Sequence, residues 1–250
     1  LRRSFSSPEC VFTSATTESL DPEQAGNAAL ISAIATKRGL PPRATTIALA
    51  TALQESKLRN IRFGDRDSLG LFQQRPSQGW GTDAQILDPA YATNKFLDAL
   101  VKIDRWQTRD ITTVAQAVQR SAYPEAYRQH EQKARSIASA LTGQSQQATT
   151  CKLDVPKEIS SAAALGVDLT NQLGVTATTD GNTVRFTAGA EALQWQLAHW
   201  AVARADIYGV TSVSVGTATW TRSDGDDALQ WRTGSTANPG VTITLGPAQG

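Results

Sequence analysis

One glutamate stands out for its setting. Glu55 closes a segment rich in Ala, Leu and Ile, from Ile47 to Leu53, that reads as a helix. Burying that segment sets the carboxyl against a low-dielectric wall, which disfavours its charged form. The C-terminal end of a helix adds partial negative charge and repels a carboxylate. Both effects favour a retained proton near neutral pH, which is what a glycosidase needs in its general acid. The plainer alternative is a solvated glutamate at a helix end. Two more carboxylates, Asp65 and Asp67, lie ten and twelve positions further on, in the charged loop Gly64-Asp65-Arg66-Asp67. An inverting glycosidase holds a water on a second carboxylate ~6.5–9.5 Å from the first, and either aspartate could fill that role. Ion pairs with Arg62 or Arg66, or turn formation, would explain them equally.

The loop leads into Ser68-Leu69-Gly70-Leu71-Phe72-Gln73-Gln74, a glycine-centred apolar turn, and then into the tight loop Gly79-Trp80-Gly81. Glu55-Ser56, about a dozen residues, and then Ser68 to Gln73 together resemble the core signature of soluble lytic transglycosylases. A third element of that family, a helical segment with Ala, Tyr and Asn, has its place taken here by Ala115 to Pro124, which departs from the usual pattern. The block from Gln54 to Tyr127 is similar to a group of secreted actinobacterial proteins that carry this domain. The resemblance spans residues 21 to 143 and implies a lysozyme-like fold.

It also implies roles. Glu55 would protonate the bridging oxygen of the β-1,4 bond between N-acetylmuramic acid and N-acetylglucosamine. The muramic acid 6-hydroxyl would then attack its own anomeric carbon, giving a 1,6-anhydro end. Ser68 and Gln73 would orient the glycan, and Gly70 would allow close approach of sugar or backbone. Gln74, Trp80 and Tyr123 are further cleft candidates. Gln116 and Gln119 are three apart on a helix, so they share a face that points into the cleft or into solvent. Leu69, Leu71 and Phe72 read as core. Three functions follow: a transglycosylase using Glu55 alone, an inverting muramidase using Asp65 or Asp67 as base, or a non-catalytic lysozyme-like protein that binds wall glycan or a partner. The expected partner is the glycan strand of peptidoglycan, with another partner open only under the third.

Bulk composition narrows the field. The 250 residues carry 24 basic and 23 acidic side chains, a net charge of +1. A nucleic-acid binder needs a basic excess, so none is expected. No apolar run approaches the ~18 residues of a membrane span. The chain starts at Leu1-Arg2-Arg3 and contains no Met, consistent with removal of a signal peptide or membrane anchor. The expected location is therefore extracellular, in the wall or on the outer membrane face. There is no P-loop, dinucleotide fingerprint or zinc spacing, and the two histidines, His130 and His199, lie far apart. No cofactor or metal is expected. The two cysteines, Cys10 and Cys151, flank the first predicted domain, and their pairing suits an oxidising compartment. Such a bond closes a loop of more than a hundred residues, stabilising by ~4–5 kcal/mol in the chain-entropy model.

The elements that must position these residues can be placed from caps and periodicity. The predicted fold class is α+β: a mostly helical domain over 21–143, then a smaller domain over 158–250 with a helix on an antiparallel sheet, suited to wall or partner binding. Residues 1–20 read as an extended tail and 144–157 as a linker. Asp21-Pro22-Glu23-Gln24 starts a helix with a capping box, and Gly39 ends it. Pro41-Pro42 turns the chain and the helix of Glu55 begins near Ala44. Asp88-Pro89 and Asp110 start two more helices, and a last one runs from Pro124 to Leu141. Further on, Asp180-Gly181 signals a hairpin, Gly189–Tyr208 a helix, and Val210–Thr221 and Val241–Leu245 strands. Trp195, Trp200, Trp220 and Trp231 are either packing or a sugar-stacking surface.

Overall fold

The computed structural model describes residues 7–246 apart from Ala122 and Ala188. The predicted segment Leu1-Arg2-Arg3, and Ala122 of the third family-like element, lie outside the described residues. Within them the chain forms nine α-helices and two antiparallel sheets. The first sheet has the order β2-β1-β3, from β1 (Glu9–Thr13), β2 (Thr17–Leu20) and β3 (Thr149–Lys152). The segments expected to be tail and linker thus pair with each other. In register, Cys10 faces Cys151, and the two form a disulfide.

Helix α1 (Pro22–Lys37) begins as its caps dictate. Asp21 accepts from the Gln24 backbone N–H at 2.9 Å and the Gln24 side chain accepts from the Asp21 N–H at 3.0 Å. Its residues from Ala28 to Ala35 are all buried, as expected of a helix apolar on every side. It is enclosed by α2 (Pro42–Ser56), α4 (Pro89–Leu100), α6 (Glu131–Leu141), α7 (Ala162–Leu173) and α8 (Glu191–Ala203). Helix α2 is buried from Ala44 to Leu53 and packs on α1, α4, α5 (Ile111–Gln119) and α6. A short α3 (Asp83–Ile86) precedes α4. Asp88 and Asp110 cap α4 and α5 as the sequence predicts. The predicted helix from Pro124 splits: Pro124–His130 is a 3-10 turn and only Glu131–Leu141 is α-helical.

The second sheet has the order β4-β5-β7-β6, from β4 (Thr178–Asp180), β5 (Thr183–Phe186), β6 (Val210–Thr221) and β7 (Arg232–Leu245). The Asp180-Gly181 hairpin and β6 lie where the sequence places them, while β7 starts nine residues before the predicted Val241. Helix α8 covers this sheet, and Arg204 follows it before α9 (Ala205–Tyr208). All four predicted tryptophans are buried, Trp220 wholly so. The sugar-stacking alternative is therefore replaced by packing, with Trp195 edge-on to Trp231 at 5.3 Å. A single buried apolar cluster runs from Cys10 to Leu245. No helix among the described residues is long and apolar enough to cross a membrane.

Candidate functional site

Helix α2 delivers Glu55 on its last turn. Beyond Ser56 the chain takes two successive left-handed steps, Lys57 (φ 55°) and Leu58 (φ 60°), a conformation uncommon for L-residues. The end of α2 holds them from one side, with the Lys57 and Leu58 N–H groups donating to the Leu53 and Ala52 carbonyls at 3.1 Å, and helix α1 from the other. The Gln24 amide donates to the Lys57 carbonyl and the Asn27 amide to the Leu58 carbonyl, both at 2.8 Å. Leu58 is fully buried. Glu55 itself is half-buried. The Tyr127 hydroxyl donates to its Oε1 at 2.6 Å, and Tyr127, from the 3-10 turn, is 1% exposed. Burial first, and the neighbouring Glu55 carboxylate second, push the Tyr127 phenol well above its ordinary pKa. The ring therefore stays a donor over the working pH range. Next door, the Gln54 side-chain oxygen accepts from Gln129 at 3.2 Å and bonds His130 Nε2 at 2.9 Å. Burial lowers the His130 pKa.

The glycine-centred turn is fastened to this helix end. Ser56 Oγ donates to the Leu71 carbonyl at 2.7 Å, and Leu69 and Gln74 exchange two backbone bonds of 3.0 Å. Gly70 (φ +75°) could not be replaced cheaply, because a Cβ there would meet the Ile86 carbonyl at 2.8 Å. Its N–H donates to the Ile61 carbonyl at 2.7 Å. Leu71 and Phe72 are fully buried, the latter stacked on Phe96 at 4.6 Å, in line with their reading as core. From α5, the Gln119 amide donates to the Phe72 carbonyl at 2.7 Å. The Glu-Ser pair, the Ser-x-Gly turn and α5 are thus joined by side chain-to-backbone bonds.

Several predicted glycan contacts have structural partners instead. Gln74 is 2% exposed and its amide donates to the Ala92 carbonyl at 3.0 Å, so it is not a cleft residue. Gln73, itself left-handed (φ 48°), donates to the Phe63 and Gly70 carbonyls at 3.3 and 3.2 Å. Gln116 donates to the Ser121 carbonyl, while its buried Oε1 has no partner among the described residues. The helical spacing of Gln116 and Gln119 is as expected, but both amides hold backbone rather than stand free. Ser68 is 7% exposed. Tyr123 is 77% exposed, and Trp80 is partly buried against the core.

The two aspartates differ. Asp67 accepts from Arg75 Nε at 2.6 Å and from the Ser77 N–H at 2.8 Å. Arg75 foremost, then Ser77, hold its carboxyl far below the usual carboxylate range. Its cation partner is Arg75, not the predicted Arg62 or Arg66. Asp65 is exposed. Among the described residues, no three His, Cys, Asp or Glu side chains cluster as a metal site would require.

Beside Trp80 runs a groove of about 460 Å³, bordered by α5 and the turn after α4. Tyr127 is the functional candidate that sequence reasoning misses. It lies in the polar run Pro124-Glu125-Ala126-Tyr127-Arg128-Gln129-His130, where an aromatic side chain between polar neighbours is the one available hint. No protein-family model matches the chain, and no curated protein is similar to it.

Proposed function

We propose that this chain cleaves the glycan strand of peptidoglycan at the β-1,4 bond between N-acetylmuramic acid and N-acetylglucosamine, on a lysozyme-like scaffold, with Glu55 as its one acid and base. The observation that carries this reading is the half-buried Glu55 carboxyl at the end of a buried helix, gripped by a buried tyrosine hydroxyl. Ser56, the next residue, is bonded to the Ser-x-Gly turn. Tyr208 holds Asp168 in the same way at 2.6 Å, so it is the link through Ser56 to the Ser-x-Gly turn that sets Glu55 apart.

The chemistry balances without water. Glu55 gives its proton to the bridging oxygen as that oxygen leaves the muramic acid anomeric carbon. The 6-hydroxyl of the same sugar closes on that carbon and returns its proton to the Glu55 carboxylate. The products are a 1,6-anhydro end and a free N-acetylglucosamine 4-hydroxyl. Tyr127 holds Oε1, leaving Oε2 for the proton in transit. The state of Asp67 supports this route over an inverting one, because a carboxylate spent on Arg75 and Ser77 is a weak base. Hydrolysis, if it occurs, falls to Asp65, which is exposed.

Mass spectrometry of purified sacculi digested by wild type and by Glu55→Gln tests the reading. Anhydro ends, lighter by one water than reducing ends, are expected from wild type and not from the variant. Reducing ends alone would make the protein a hydrolase. Equal products from both proteins would leave Glu55 without a catalytic role.

A further inference from the structure

The groove beside Trp80 has a chemical character that its neighbours lack. Its floor is apolar, with Ile103 and Val118, and the Trp80 ring forms one wall. Its rim carries two cations, Lys102 and Arg120, and no lining residue is acidic. Neither cation joins an ion pair among the described residues. Two other depressions differ: near the start of α1, Arg59 is already committed to Asp21 and Glu23, and between α2 and α6, where two arginines also meet no acidic lining residue, Arg135 is paired with Glu131 and Arg43 is held by the Trp106 and Arg109 carbonyls. At about 460 Å³ the Trp80 groove falls within the ~300–1,000 Å³ of ordinary ligand sites. It suits a short chain with small apolar groups and carboxylates.

Its place along the chain matters as much. Lys102 and Ile103 sit on the turn that ends α4, and Arg120 is fixed in a left-handed step (φ 50°) just past α5. Gln119 lines the groove while its amide holds the Phe72 carbonyl of the Ser-x-Gly turn. Helix α5 also packs against α2 and against the 3-10 turn that carries Tyr127. One helix therefore borders both the groove and the elements that hold Glu55.

We propose that this groove binds the acidic peptide stem carried by muramic acid, with Lys102 and Arg120 pairing its carboxylates and Ile103, Val118 and Trp80 receiving its apolar side chains. This rests on the glycan-cleavage reading, since the stem branches from the sugar whose bond Glu55 would break. The Gln119 bond sets groove and turn in fixed relation, so a bound stem would position its own sugar. The bland alternative is that both cations merely offset the partial negative charge of the two helix ends they follow.

Binding, rather than cleavage, separates this proposal from the reading beneath it. Sacculi with intact stems, and sacculi stripped of stems by an amidase, are mixed at low salt with Glu55→Gln protein, which leaves the polymer whole. The same is done with Glu55→Gln carrying Lys102→Gln and Arg120→Gln. Intact sacculi are expected to hold the parent protein roughly two- to thirty-fold more tightly than the double-cation variant, with the difference fading as salt rises. Stripped sacculi are expected to bind both proteins alike. Equal binding of both proteins to intact sacculi overturns the proposal, and so does a change in melting temperature with no change in binding. A loss that is the same on stripped sacculi also overturns it, because the cations would then act without regard to the stem. These outcomes do not depend on whether Glu55 cleaves.

Discussion

Breaking the Cys10–Cys151 disulfide should lower the stability of this chain by several kcal/mol. The two cysteines are 141 positions apart, and both are buried. Loop closure over that separation gives about 5 kcal/mol in the chain-entropy model, against a usual measured range of ~2–4 kcal/mol. At ~2–4 °C per kcal/mol for a chain of this size, Cys10→Ala with Cys151→Ala should melt at least about 4 °C below the oxidised wild type. Urea unfolding of both proteins checks this. The variant should also show a steeper dependence on urea, because its unfolded chain exposes more surface without the cross-link. The loss should centre on β1, which pairs with both β2 and β3 and packs on α6, the neighbour of α2. Coincident midpoints for oxidised wild type and variant would refute the argument. So would two reactive thiols in protein unfolded without reductant.

Three other changes have defined outcomes. Ser56→Ala strands the buried Leu71 carbonyl that Ser56 Oγ holds at 2.7 Å, so a loss of about 1–3 kcal/mol is expected in urea unfolding, and no loss would mean that the turn is fastened elsewhere. Tyr127→Phe removes the donor to Glu55 while keeping the buried ring; muropeptide release should fall at least about tenfold with the fold retained at a cost of about 1 kcal/mol, and unchanged release would make Tyr127 a packing residue. Burial depresses the His199 pKa to about 4 from an ordinary ~6.5. The unfolded chain then binds the extra proton first as pH falls, so up to about 3 kcal/mol of stability present above pH ~6.5 is lost by pH ~4. His199→Gln, which can still accept from the Ala148 N–H and donate to the Ala140 carbonyl, as His199 does at 3.1 and 2.7 Å, should flatten that decline, as melting temperatures across this range would report.

What the sequence makes legible here is mostly local. Asp21, Asp88 and Asp110 cap their helices because a short acidic side chain reaches backbone N–H groups two or three residues on, and that needs no distant partner. The Asp180-Gly181 hairpin is local too, turning at left-handed Gly181 (φ 58°) between the paired Asp180 and Thr183. Strand β3 escapes notice because it is short and its partner β1 lies about 140 positions away, while β1 and β2 pair across a three-residue turn but are only five and four residues long. Helix α7 falls in a stretch to which the sequence reading assigns no element, although Ser161 caps it and Gly174 ends it in a left-handed step. At the candidate site, spacing puts Gln116 and Gln119 on one face. It does not say that Gln119 would hold the Phe72 carbonyl, 47 positions away. The bond from Tyr127 to Glu55 spans 72 positions, and no local pattern encodes it.

The paired left-handed steps at Lys57 and Leu58 mean that the heading of the chain after Glu55 is not its own choice. It is fixed in part by two amides of a different helix, Gln24 and Asn27, which stand more than thirty positions upstream. A designer who moved the Glu55 helix to another scaffold without α1 would carry over the acid but not its aim. The Lys57 and Leu58 carbonyls would lose their amide partners, and the loop that follows would be held by the end of its own helix alone.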